Sequence, residues 1–185
     1  KQVVVAGHSA GGQFVERYAV LNRVDGRLRT RMRYVVANPS SYMYLDEVRL
    51  SSGATCAAKG GCTGEFVPYW DAENCTTYNR YRYGPEQLPP YAAGLNAEQA
   101  RTQYVKRTVT YLAGELDTRT DDASLDHSCP AVAQGQNRRE RAINFWNYMQ
   151  THLRAAHSFA IAPGCGHSAV CVFAGPAGVA AVFGE

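Results

Sequence analysis

Val3-Val4-Val5-Ala6-Gly7-His8-Ser9-Ala10-Gly11-Gly12 decides how the rest of the chain is read. A run of β-branched residues opens it, and an amphipathic pattern over 10–24 follows, so the glycine-flanked serine falls on a strand-to-helix turn. A serine on so sharp a turn takes a strained backbone, and side chains two positions either way would collide with it. Glycine at 7 and 11 removes those side chains. The turn lifts the Ser9 hydroxyl above the sheet end, near the positive end of the following helix. The Ala10 N–H is then free to bind a developing oxyanion. The segment fits neither Gly-x-Gly-x-x-Gly nor the P-loop, which ends in Gly-Lys-[Ser/Thr], so a phosphate cradle is the weaker reading.

Working outward, four short apolar segments bounded by turn residues read as buried parallel strands, at 2–6, 34–37, 108–113 and 158–162. In the helix over 10–24, Phe14, Val15, Tyr18, Ala19 and Leu21 share one face. A second helix over 138–153 carries a core stripe of Ala142, Phe145, Trp146, Met149 and Leu153, with Arg139, Glu140 and Asn147 toward water. A short helix over 175–182 closes the chain. Strands alternating with helices imply an α/β architecture, a mostly parallel sheet with flanking helices. Residues 40–103 break the alternation and hold most of the Tyr, Gly and Pro punctuation. They read as an irregular lid or cap insertion within a single domain spanning 1–185.

A serine hydroxyl needs a base within hydrogen-bond reach. His167 follows the last strand in Pro163-Gly164-Cys165-Gly166-His167-Ser168, a loop that opens on the same sheet edge as Ser9. His8 lies inside the turn and suits packing or site support. His152 and His157 fall at a helix end, where the helix dipole accounts for them. His127 lies in a loop and is a distant second. The base in turn needs a carboxylate to fix its tautomer. Asp117 ends Gly114-Glu115-Leu116-Asp117, just beyond the third strand, and gives the chain order Ser, Asp, His. Glu115, Asp121, Asp122 and Asp126 are nearby alternatives, and so dense an acidic cluster also suits a solvated loop.

The 185 residues are 45% hydrophobic and 19% charged, with 19 basic against 16 acidic side chains and a net charge of +3. Such a balance argues against a nucleic-acid reader, a disordered chain and a coiled coil. The longest apolar stretch, 169–174, falls far short of the roughly 20 residues of a membrane span. Cys56 with Cys62 and Cys165 with Cys171 are spaced alike and suit local disulfides, and Cys75 is expected to pair with Cys129. Asn74-Cys75-Thr76 fits the N-glycosylation pattern. Together these features favour a secreted protein in an oxidising compartment. Interleaved Arg and Tyr over 78–85 read better as packing over an acyl or aromatic substrate than as stacking on nucleobases.

The segments 3–12, 114–117 and 164–168 resemble the three active-site corners of the α/β-hydrolase fold, a likeness that spans nearly the whole chain. The resemblance implies Ser9 as nucleophile, Asp117 as orienting acid, His167 as base and then acid, and Ala10 N–H as one oxyanion donor. It implies a serine hydrolase, foremost a carboxylic-ester hydrolase working through an acyl-enzyme on a small ester or acyl substrate, with no cofactor or metal. Members of that fold have several strands before the nucleophile strand, and a second oxyanion donor comes from among them. The expectation is therefore a carboxyl-terminal portion, its first strands supplied by an upstream segment or companion chain. The rival reading is a non-catalytic extracellular module of the same fold, used for adhesion or assembly.

Overall fold

A computed structural model describes residues 2–28 and 30–184. Its central sheet joins β1 (Gln2–His8), β2 (Arg31–Ala37), β5 (Thr108–Gly114) and β6 (Ser158–Ala162) in the order β1-β2-β5-β6. All three pairings are parallel. Register aligns the strand ends: His8 lies opposite Ala37, Ala37 opposite Leu112, and Gly114 opposite Ala162. The loops after the four strands therefore gather on one carboxyl edge, where α/β sheets bind ligands.

Alternation along the strands sorts the core into two layers. From β2 and β5, Tyr34, Val36, Val109, Tyr111 and Ala113 pack on the face covered by α1 (Ala10–Leu21), α2 (Ala97–Val105) and α4 (Arg138–Asn147). Val35, Ala37 and Leu112 turn to the other face, under α5 (Ala169–Ala174) and α6 (Pro176–Phe183). Both middle strands are thus covered on both sides, which is why they read as unbroken apolar runs. β1 stands at the edge of the sheet, with no strand on its other flank among the described residues. Its Val3 is 44% exposed.

Several helices depart from expectation for definable reasons. α1 stops at Leu21, where Asn22 turns extended and its side chain donates to Tyr18 O and Tyr34 Oη. Its Phe14 points outward rather than into the core. α4 is regular to Asn147 and continues as a wider π-helical turn, Tyr148–His152. Asn147 is buried, not turned to water: its amide donates to Ala57 O and Ile143 O, and its oxygen accepts from Gly61 N. A polar side chain is stable inside when loop backbone supplies its partners.

Residues 40–103 contain a two-stranded antiparallel hairpin, β3 (Val48–Leu50) with β4 (Phe66–Pro68), and end in α2. Asn96 and Gln99 close a reciprocal capping box at the start of α2. The first part of this stretch belongs to the main core. Tyr42 stacks on Phe145 at 4.5 Å, and Tyr44 meets Tyr148 at 4.6 Å.

The structure contains three disulfides, Cys56–Cys62, Cys75–Cys129 and Cys165–Cys171. Cys75–Cys129 ties the 40–103 stretch to the start of α3 (Cys129–Val132), 54 residues on. Closing a loop of that length stabilises the folded state by roughly 4 kcal/mol in the chain-entropy view, against about 2 kcal/mol for each local bridge. Three such bridges fit an oxidising compartment. Among the described residues no helix is long and apolar enough to cross a membrane.

Candidate active site

Ser9 sits between β1 and α1 with φ 56° and ψ −121°, a backbone that L-residues rarely adopt. Two bonds hold it there: Ser9 N donates to Ala37 O at 2.9 Å, and Gln13 N donates to Ser9 O at 3.0 Å. The glycines around it divide differently from the sequence expectation. A Cβ at Gly7 would overlap the Gly11 carbonyl, and one at Gly12 would lie 2.6 Å from Ala37 O. A Cβ at Gly11 would meet nothing within 4 Å. The turn thus needs Gly7 and Gly12, while Gly11 contributes only the backbone that Gly7 approaches. Gly11→Ala is expected to raise stability by about 0.5–1 kcal/mol, as in any helix. Gly12→Ala is expected to lower it by about 1–3 kcal/mol through overpacking. Paired urea melts measure both, and equal effects of the two changes would contradict this division.

His167 arrives on the loop after β6, closed by the Cys165–Cys171 disulfide. Its Nε2 lies 2.9 Å from Ser9 Oγ and its Nδ1 2.8 Å from Asp117 Oδ2. An ionised carboxylate only accepts, so the Asp117 contact puts the imidazole proton on Nδ1 and leaves Nε2 to accept the Ser9 hydroxyl. The Asp117 and His167 loops are laced together. Leu116 N donates to Cys165 O, Glu115 N to Ala162 O, and Gly164 N to the Glu115 carboxylate. Gly114 permits that approach, because a Cβ there would lie 2.5 Å from Cys165 O and 2.6 Å from Gly166 O.

Asp117 is 3% exposed and hydrogen-bonded from two sides. Besides His167, Asn38 Nδ2 donates to its Oδ2 at 2.6 Å. Arg138, with a fully buried side chain, lies 3.6 Å from Asp117 Oδ1 and 3.4 Å from Asp122 Oδ2. Asn38 is fixed in turn by Asn38 N donating to Leu112 O and by its Oδ1 accepting from Gly114 N. Its φ of 46° is a left-handed conformation that asparagine tolerates better than most residues. Sequence reasoning assigned neither Asn38 nor Arg138 a place in the site. An asparagine ending a buried strand just before a proline was the available signal.

The other candidates lie elsewhere. Glu115 holds Gly164 N, Asp121 pairs with Arg119, and Asp126 accepts from Tyr83 Oη and Ser128 Oγ. Asp122 is held well below the usual carboxylate range by the Ser124 hydroxyl and backbone, with Arg138 assisting. His127 contacts Asp122 O, and His152 pairs with Asp46 at 3.0 Å. His157 is buried: its Nε2 donates to Tyr104 O, so its Nδ1 accepts from Tyr111 Oη. Burial pushes it down to about 4. His8 stands with its ring 4.7 Å from that of His167, and burial and then the His167 charge lower its pKa. Ala10 N–H has no acceptor among the described residues and follows Ser9 directly. Asn74 is exposed in a turn, its amide donating to Asp71. Among the described residues no group of three or more His, Cys, Asp or Glu is arranged to hold a metal ion.

A parallel sheet flanked by helices, a strained serine turn and two interlocked loops on its carboxyl edge define the α/β-hydrolase fold, and this chain has it. No protein-family model and no curated protein matches the sequence. Among solved structures the chain is similar to poly(aspartic acid) hydrolase-1 from Sphingomonas sp. KT-1, at 25% identity and a TM-score of 0.58. It is also similar to LpqC, a poly(3-hydroxybutyrate) depolymerase from Bordetella parapertussis, at 22% identity and a TM-score of 0.60. Both likenesses cover 90% of this chain but 50% and 44% of those chains, so it spans about half their length.

Proposed function

We propose that the chain carries the catalytic centre of a serine hydrolase, acting on carboxylic esters through an acyl-enzyme on Ser9. One observation carries the reading: an unbroken hydrogen-bond chain from Ser9 Oγ through His167 to buried Asp117, beginning at a strained turn. His167 takes the Ser9 proton as the hydroxyl oxygen attacks the ester carbonyl. The Ala10 N–H stabilises the oxyanion that forms. His167 then gives the proton to the departing alcohol, and water activated by the same imidazole releases the acid. Both solved relatives are named as enzymes that break down polymers with acyl linkages, which supports an acyl substrate.

The open flank of β1 takes further strands, supplied by an upstream segment or companion chain that also brings the second oxyanion donor. The 40–103 stretch acts as the cap over the substrate, with Tyr81, Arg82 and Tyr91 beside Ala10. Three disulfides and an exposed Asn74 available for glycosylation support secretion.

The test is covalent labelling of the full-length protein with a fluorophosphonate probe, followed by peptide mapping. Label is expected on Ser9 and is expected to fall sharply in His167→Ala. Label that is absent from Ser9, or indifferent to His167→Ala, would favour the non-catalytic module.

A further inference from the structure

Beside the Ser9 turn lies a cavity of about 630 Å³, between α1 and the stretch from Tyr81 to Tyr91. Ala10 lines it, so a group bound there borders the proposed oxyanion donor. Its walls are aromatic: Phe14, Tyr18, Tyr81 and Tyr91. Phe14 is 65% exposed, and it stacks on Tyr18 with ring centroids 5.9 Å apart. Tyr91 is likewise exposed, its hydroxyl 3.1 Å from that of Tyr81. Aromatic side chains exposed together around a concavity are characteristic of a ligand site.

Two arginines, Arg17 and Arg82, complete the lining, and their partners are informative. Arg17 is 8% exposed, yet its hydrogen bonds run only to neutral oxygens: Gln13 Oε1, Ser41 Oγ and Arg82 O. Among the described residues no carboxylate lies within 4.0 Å of it. The adjacent Glu16 is wholly buried and accepts from Met43 N, out of ion-pair contact with Arg17. Burial pushes the Glu16 carboxyl up to about 8, against the opposing pull of the Arg17 charge. Arg82 is the more exposed of the two: its Nε and Nη2 donate to Tyr83 Oη, and its nearest carboxylate, Asp126, lies 3.8 Å away and already accepts from Tyr83 and Ser128. A nearly buried cation with no carboxylate in contact is costly, and a ligand anion would relieve that cost.

We propose that this cavity selects substrates carrying a free carboxylate on an apolar or aromatic arm, with Arg17 and Arg82 as the specificity-determining cations. The proposal rests on ester hydrolysis at Ser9. The cavity takes the apolar arm between the rings, and the guanidinium pair takes the anion at its end. Charge-assisted hydrogen bonds of this kind separate charged from neutral ligands by roughly tenfold or more.

The experiment uses the full-length protein and two esters matched in length, 4-nitrophenyl hexanoate and mono-4-nitrophenyl adipate, which differ only in the terminal carboxylate. Expected is a preference for the adipate of roughly tenfold in kcat/KM, expressed in KM and shrinking as salt is raised. In Arg82→Gln, a change at an exposed side chain, the adipate-to-hexanoate ratio is expected to fall severalfold. Hydrolysis of both esters without that preference overturns the proposal and leaves ester hydrolysis standing. So does a preference unchanged in Arg82→Gln, or labelling of Ser9 without turnover of the adipate. Turnover of neither ester together with no labelling of Ser9 overturns the parent reading as well.

Discussion

Ser9→Ala is expected to lower kcat for ester hydrolysis by about 10⁶-fold, and Ser9→Ala with His167→Ala to be no worse than either change alone. In the proposed mechanism no acyl-enzyme forms without the Ser9 oxygen. Without the imidazole, 2.9 Å away, the hydroxyl keeps its proton and stays a weak nucleophile. Each change removes the same step, so the second has nothing left to take. The remaining rate comes from substrate held against the Ala10 N–H, with water as nucleophile, and is on the order of 10³-fold above the reaction in water. Neither change is expected to disturb the fold. Ser9 is held through its backbone bonds to Ala37 and Gln13, and the His167 loop is held by Cys165–Cys171 and the Leu116–Cys165 bond. Rates for the three variants, each with an unshifted urea midpoint, test the prediction. Losses that multiplied instead would mean that Ser9 and His167 act in separate steps.

The residues legible in the sequence share one property: each lies at the end of a strand, marked by neighbours a few positions away. Gly7 and Gly11 betray the Ser9 turn, Gly114 betrays Asp117, and the glycines flanking Cys165 betray His167. The illegible ones act across the chain. Asn38 reaches Asp117, 79 positions on, and Arg138 reaches Ser40 across 98. In sequence both are ordinary polar residues. Asn147 looked solvent-facing on its helix wheel because nothing local announces that Gly61 and Ala57 will come to meet it. Tyr42 and Tyr44 were read as part of an irregular cap because their stacking partners, Phe145 and Tyr148, lie a hundred residues away. The capping box at Asn96 and Gln99 was local, and it marks a helix over 97–105 in a stretch read as irregular.

Asp117→Ala is expected to lower kcat by about 10⁴-fold, less than the loss at Ser9. In the proposed mechanism the carboxylate does two things to His167: it fixes the proton on Nδ1, and it stabilises the imidazolium that forms when Nε2 takes the serine proton. The alanine variant loses both, and it also leaves the buried Arg138 with Asp122 as its only carboxylate among the described residues. Asp117→Asn separates the two contributions, and Asn38 decides how. Asn38 Nδ2 donates to the Oδ2 position at 2.6 Å, whereas Arg138 stands 3.6 Å from Oδ1, beyond hydrogen-bond range. An amide at 117 therefore turns its oxygen toward Asn38 and His167, because the opposite orientation would set two NH₂ groups against each other at the shorter distance. His167 keeps its working tautomer and loses only the negative charge, so kcat is expected to fall by about 10²-fold, well short of the alanine variant. Adding Asn38→Ala to Asp117→Asn removes the group that chooses the orientation. The amide can then present NH₂ to His167 Nδ1 and hold the imidazole in the wrong tautomer, so the double variant is expected to drop to about the 10⁴-fold loss of Asp117→Ala. Single-turnover rates for the four proteins measure the series. An Asp117→Asn rate as low as that of Asp117→Ala would mean that charge, and not orientation, is what Asp117 contributes.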